Sequence, residues 1–145
     1  MSWPDPVPGL VIRYAYLWCR EADLGREEGV KDRPCAIVAA VQEEADGLRV
    51  YVLPITHSPP QPPDERIELP LPTKVRLGLD GERSWVVVSE ANRFSWPGPD
   101  LRPMAGQGPE SVAYGLLPSA LFRVVRDKFV ARARARATGV VSRTE

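Results

Sequence analysis

The chain has 145 residues, which is one domain's worth of protein and enough for a single modest core. Its 43% hydrophobic and 26% charged content excludes wholesale disorder, and 19 basic residues balanced by 19 acidic ones exclude a polycation. Sixteen prolines, roughly double the ~5% average usage, argue against long helices over most of the chain.

The first residues lack a basic stretch followed by an apolar one, so no signal peptide is expected. No run approaches ~18 apolar residues, so no membrane partner is expected either. Residues 10–18 (LVIRYAYLW) are β-branched and aromatic and predict a first strand. Residues 20–32 are polar and glycine-punctuated and predict a mobile loop. Residues 34–41 (PCAIVAAV) and 48–55 (LRVYVLPI) predict two strands. Asp46-Gly47 lies between them, the tight-turn pair that supplies positive φ in a hairpin.

Four prolines within residues 58–64 deny that stretch a regular ladder, so it is a loop. Residues 67–69 predict a short strand, 74–79 a single helical turn, and 84–91 (SWVVVSEA) a further strand. Residues 96–109 form a long proline- and glycine-rich excursion, and 114–117 a last short strand. Pro118 and Ser119 open a helix whose Leu121, Phe122, Val125 and Phe129 keep the 3.6-residue period. Residues 131–145 are a basic tail expected to fray. Short strands followed by one helix predict a mainly β, small antiparallel barrel in a single domain.

Chemistry is constrained by what is missing. Cys19 and Cys35 are far apart and are read as reduced thiols of a cytoplasmic protein. With His57 the only histidine and no D-x-D cluster, no metal site is expected. No Walker A, G-x-S-x-G or H-E-x-x-H pattern is present, so no cofactor is expected.

Two spots remain. Pro34 forces Arg33 into an extended conformation at a strand mouth, beside Lys31. Thr56, His57 and Ser58 follow directly on an apolar strand. Each alone has a plain alternative: Arg33 paired with Asp32 or Glu28 at the surface, and ordinary polarity at a loop entry. Antiparallel pairing, however, brings the start of one strand to the end of the other, so the two spots should converge. His57 is a candidate base there, because imidazole exchanges protons near neutrality.

The order of blocks resembles the MazF/PemK (Kid) family of toxin ribonucleases. The resemblance is carried by Gly9 before the first strand, by Lys31-Asp32-Arg33-Pro34 and its apolar run, and by Leu53-Pro54-Ile55-Thr56. Ile67-Glu68-Leu69-Pro70, the strand from Ser84 to Glu90, and Gly115-Leu116 with the closing helix continue it, over roughly residues 8–130. The resemblance implies an SH3-like barrel that forms a homodimer, with a cognate antitoxin as protein partner. It further implies metal-independent cleavage of single-stranded RNA by attack of the ribose 2′-OH on the adjacent phosphorus. Arg33 would grip the phosphate and deliver a proton, and Thr56 would donate a hydroxyl to a phosphoryl oxygen. An inactive barrel of the same fold that only binds protein or nucleic acid is the alternative.

The sequence departs from the family after the fifth strand. Where many relatives carry an aspartate–glutamine and then an arginine, this chain reads Ser89-Glu90-Ala91-Asn92-Arg93-Phe94. Glu90, Asn92 and Arg93 are therefore expected as substitutes at the substrate, with Trp96 as an aromatic surface for RNA bases. Charge is also segregated. Residues 21–46 carry a net −5, and residues 123–143 a net +6 able to track phosphates or an acidic partner segment.

Overall fold

The computed structural model describes residues 3–26, 29, 31–43, 45 and 47–143. The chain runs β1 (Leu10–Tyr14), α1 (Cys19–Asp23), β2 (Arg33–Glu43), β3 (Gly47–Thr56), β4 (Arg66–Glu68) and α2 (Leu71–Leu77). It continues through β5 (Trp85–Val87), β6 (Glu90–Ser95), β7 (Ala113–Leu116), α3 (Ser119–Arg134) and β8 (Gly139–Ser142). The architecture is mainly antiparallel β with a helix near the C-terminus, as the strand pattern predicts. The strand order β4-β5-β3-β2-β1-β7, with β6 and β8 attached to β3, does not close on itself among the described residues. The expected barrel closure is therefore not seen, and the strands form an open sheet.

β3 organises the sheet. Along one edge it pairs with β2 from Gly47 to Pro54; along the other it pairs first with β6 (Arg49 to Val52) and then with β5 (Ile55 and Thr56). Pro54, which has no N–H to donate, falls at the changeover between β6 and β5. Alternation along the strands sends side chains into two cores. Cys35, Ile37, Val50 and Val52 join Tyr14, Trp18 and Phe94 on one face. Ala36, Val38, Leu53 and Ile55 join Leu77, Val125 and Phe129 on the other. The helical stripe behaves as its period predicts, with Val125 and Phe129 buried and Leu121 and Phe122 packed at the margin. Each buried side chain of this size contributes about 1.5–3 kcal/mol.

Several local expectations change. Residues 19–23 form α1 inside the predicted mobile loop, because Glu21 accepts the Trp18 N–H at 3.2 Å and caps the turn. The predicted strand over 84–91 is two strands, and the chain passes from β5 to β6 at Val88 and Ser89. The predicted helical turn at 74–79 begins earlier and makes α2, closed by Gly78 at φ +72°. Asp46 of the predicted hairpin turn lies outside the described residues, while Gly47 has the positive φ such a turn requires. Residues 131–143 do not fray. α3 persists to Arg134, β8 pairs in parallel with β6, and Arg143 is buried. Both cysteines are free, Cys35 fully buried and Cys19 partly so. Burial, followed by the charge of Glu90, pushes the Cys19 thiol up to about 12. No helix among the described residues is long and apolar enough to cross a membrane.

Candidate functional site

β1, β2 and β3 place the site. The β2–β3 register pairs Cys35 with Pro54, and its continuation by two residues sets Arg33 opposite Thr56. Both share the strand parity of Cys35 and Val52, so both lie on the face that carries Trp18. The predicted convergence therefore follows from backbone pairing. A cleft of about 420 Å³ opens there, lined by Lys31, Arg33, Thr56, His57 and Ser58, with Trp18 forming part of its wall.

Arg33 is half-buried, and its guanidinium carbon lies 5.0 Å from the centroid of the Trp18 ring. That ring also receives Arg20, at 5.5 Å. The Nε of Arg33 is buried with no hydrogen-bond partner among the described residues. Asp32, a predicted surface partner, instead faces Arg13 at 3.7 Å and Arg102 at 3.4 Å. Glu28, the other predicted partner, lies outside the described residues. Desolvation pulls the Arg33 guanidinium below its ordinary pKa, against the opposing influence of Cys35 and Glu21. Loss of hydration, compensated by the Trp18 face and the more distant charge of Glu21 without a direct ion pair among the described residues, leaves this cation ready for an anion.

Thr56 is nearly buried, and its Oγ1 accepts the Ser58 N–H at 3.2 Å, leaving the hydroxyl proton available as a donor. Arg66 reaches the same turn, donating to the Ser58 carbonyl at 2.8 Å and to Asp64 at 2.7 Å. His57 is half-exposed at the mouth, with Nε2 2.9 Å and 3.1 Å from the two oxygens of Asp80. Behind Asp80 sits Lys74, buried to 2% exposure. Burial works to raise the Asp80 carboxyl. The Lys74 hydrogen bond, the Glu82 N–H and the charges of His57 and Lys74 outweigh it and hold the carboxyl below its ordinary value.

His57, Asp80 and Glu82 offer one donor atom each within 4.8 Å of one another. All three are exposed, and Asp80 already carries the Lys74 ammonium. The donor set therefore offers a cation less charge than its composition suggests.

Four predicted substrate-binding residues lie elsewhere, none of them lining this cleft. Asn92 has no exposed surface. Its carboxamide accepts the Leu17 N–H at 2.9 Å and an Arg143 N–H at 3.0 Å, and donates to the Leu17 carbonyl at 2.7 Å. Glu90 accepts from the Tyr16 hydroxyl at 3.1 Å and from the Cys19 N–H at 2.9 Å, which fixes the segment leading through Trp18. Burial, then Glu90, raises the Tyr16 phenol well above its ordinary value, so it stays a donor. Arg93 lies in β6 opposite Tyr51 and Ser142, and Trp96 packs against Phe94 with ring centroids 6.1 Å apart. Strand alternation could not choose the face of these residues, because the break between β5 and β6 resets the count.

Sequence reasoning missed Trp18, Arg20, Arg66 and the Lys74–Asp80 pair. Trp18 reads as an ordinary strand aromatic, and Lys74 only as part of a single helical turn. No protein-family model matches the chain, and no curated protein matches it either.

Proposed function

We propose that this chain is a metal-independent endoribonuclease of the MazF/PemK type, cutting single-stranded RNA within the cleft. The observation that carries this reading is Arg33, a half-buried cation stacked on Trp18, without an anionic partner among the described residues, opposite a threonine hydroxyl and beside a His–Asp pair. A phosphodiester suits that arrangement. The guanidinium and the Thr56 hydroxyl donate to its non-bridging oxygens and stabilise the charge that grows on the phosphorane. His57 takes the 2′-OH proton as O2′ bonds to phosphorus. The bond to O5′ then breaks, leaving a 2′,3′-cyclic phosphate and a 5′-hydroxyl whose proton comes from solvent. Arg33 remains protonated throughout, so the proton delivery that the resemblance implies for it falls to solvent. Lys31, Arg20 and Arg66 add positive charge at the rim for neighbouring phosphates.

The test is incubation of the purified chain with mixed-sequence RNA in EDTA, beside Arg33→Ala and Thr56→Ala. Cleavage by the wild type alone, with cyclic-phosphate ends, is expected. RNA bound but never cut would make the chain a binding module of the same architecture. Cleavage abolished by EDTA would overturn the metal-free mechanism and turn attention to His57, Asp80 and Glu82.

A further inference from the structure

Lys74 is a charged side chain that the fold has taken almost wholly out of water, on a seven-residue helix outside the cleft. Its ammonium has three protons and three acceptors: Asp80 Oδ1 at 3.0 Å, Ser84 Oγ at 2.7 Å and the Glu82 carbonyl. Burying such a cation is costly unless every proton is matched, and here each is. Ser84 and the Glu82 carbonyl serve Lys74 itself. Asp80 is shared outward, toward His57.

Asp80 is constrained from three sides. Oδ1 takes Lys74 Nζ and the Glu82 N–H, each at 3.0 Å. Both oxygens then face His57 Nε2. A carboxylate neutralised by an ammonium carries no proton to donate, so the hydrogen between Asp80 and His57 must belong to the imidazole. In the neutral ring one nitrogen bears hydrogen and the other does not. With Nε2 as donor, Nδ1 holds the lone pair.

We propose that Lys74 is a positioning residue which, through Asp80, locks His57 in the Nε2–H tautomer and leaves Nδ1 as its proton-accepting nitrogen. Only the identity of the proton that Nδ1 accepts rests on the ribonuclease reading; the tautomer does not. Among the described residues the carboxylates facing the ring are Asp80 and Glu82, the latter 3.8 Å from Nε2, with Lys74 behind Asp80. Across the cleft stand Arg20, Lys31, Arg33, Arg66 and Asp32.

His57 is the only histidine in the chain, so long-range ¹H–¹⁵N NMR reads its ring without assignment ambiguity. At alkaline pH the wild type is expected to show a protonated Nε2 and a bare Nδ1. In Asp80→Asn and in Lys74→Gln the two nitrogen shifts should move toward each other as the tautomers mix, while Lys74→Arg restores the wild-type pattern. A bare Nε2 in the wild type overturns the proposal, as does an unchanged tautomer in Asp80→Asn. Asp80 is half-exposed, so this variant keeps the test available if Lys74→Gln does not fold. If the chain cleaves RNA, Lys74→Gln should lower kcat about 10- to 100-fold with KM little changed. Absence of cleavage would bear on the proposed function and leave the NMR result standing.

Discussion

The guanidinium of Arg33 lies over the Trp18 ring, 5.0 Å from its centroid, and its buried Nε has no hydrogen-bond partner among the described residues. Stacking orients the planar fork without consuming its hydrogen-bond donors. An arginine held this way is preorganised for a tetrahedral or trigonal oxyanion.

Arg33→Lys should therefore fail to conserve function. An ammonium cannot both stack and present two parallel donors, so the expected loss of kcat/KM on RNA is at least about 100-fold. Arg33→Met should abolish cleavage while keeping contact with the ring, and its Tm should equal or exceed that of the wild type, because a desolvated charge has been removed. Thermal melts of the two variants beside the wild type check this. A clear fall in Tm for Arg33→Met would show that the guanidinium is a structural group.

Asp80 gives stability a pH dependence of known sign. Its folded pKa lies below the ordinary 3.8, so its contribution is complete above that value and disappears as pH falls through the folded one. Glu68, held low by the hydrogen bonds of Arg83, acts in the same direction. Urea midpoints measured from neutrality down to strongly acidic pH should fall on the acid side. The fall should be shallower in Asp80→Asn, and an identical acid limb in that variant would contradict the assignment.

Asn92→Ala separates a structural role from a substrate-binding one. The substitution orphans the N–H and carbonyl of Leu17 and removes a partner of Arg143, all in a buried setting. A loss of about 3 kcal/mol in unfolding free energy is expected. Below the new melting point, KM for RNA should stay close to the wild-type value. A raised KM with unchanged stability would return Asn92 to the substrate.

What could be read in advance divides along physical lines. Arg33 and Thr56 were legible together because antiparallel pairing converts two distant positions into neighbours, and Pro34 marks where one strand begins. The stripe of α3 was legible because helical period and burial agree. Lys74 and Asp80 were not. A helix and a turn deliver them to His57, and nothing local in LPTKVRLGLDG records that meeting. Glu90, Asn92 and Arg93 fall outside the cleft for a different reason: the family segment they stand in for carries no register across the break between β5 and β6, and Glu90 and Asn92 instead hold the backbone of Cys19 and Leu17. The C-terminal segment divides: the Arg-Ala repeat is largely exposed, as its composition predicts, whereas Arg143 beyond it is buried against the Ala15 carbonyl, Asn92 and Asp100.

That pairing yields a last expectation. Arg143 donates to the Ala15 carbonyl at 2.7 Å and to Asn92, meets Asp100 at 3.0 Å, and lies 5.5 Å from the Tyr14 ring centroid. It thus ties the final strand to β1 and to the excursion at residues 96–109. Asp100 is itself largely buried, so Arg143→Ala leaves a carboxylate with a lost partner, and breaking such a pair costs about 3–5 kcal/mol. Amide hydrogen exchange should then rise across residues 96–109 and β8 before it rises in β2 and β3. In Arg143→Ala/Asp100→Ala part of the stability should return, because the carboxylate that lost its Arg143 contact is removed with it. Uniform loss of protection over the whole sheet would mean that β8 is integral to the core, with no separate role as a latch on the excursion.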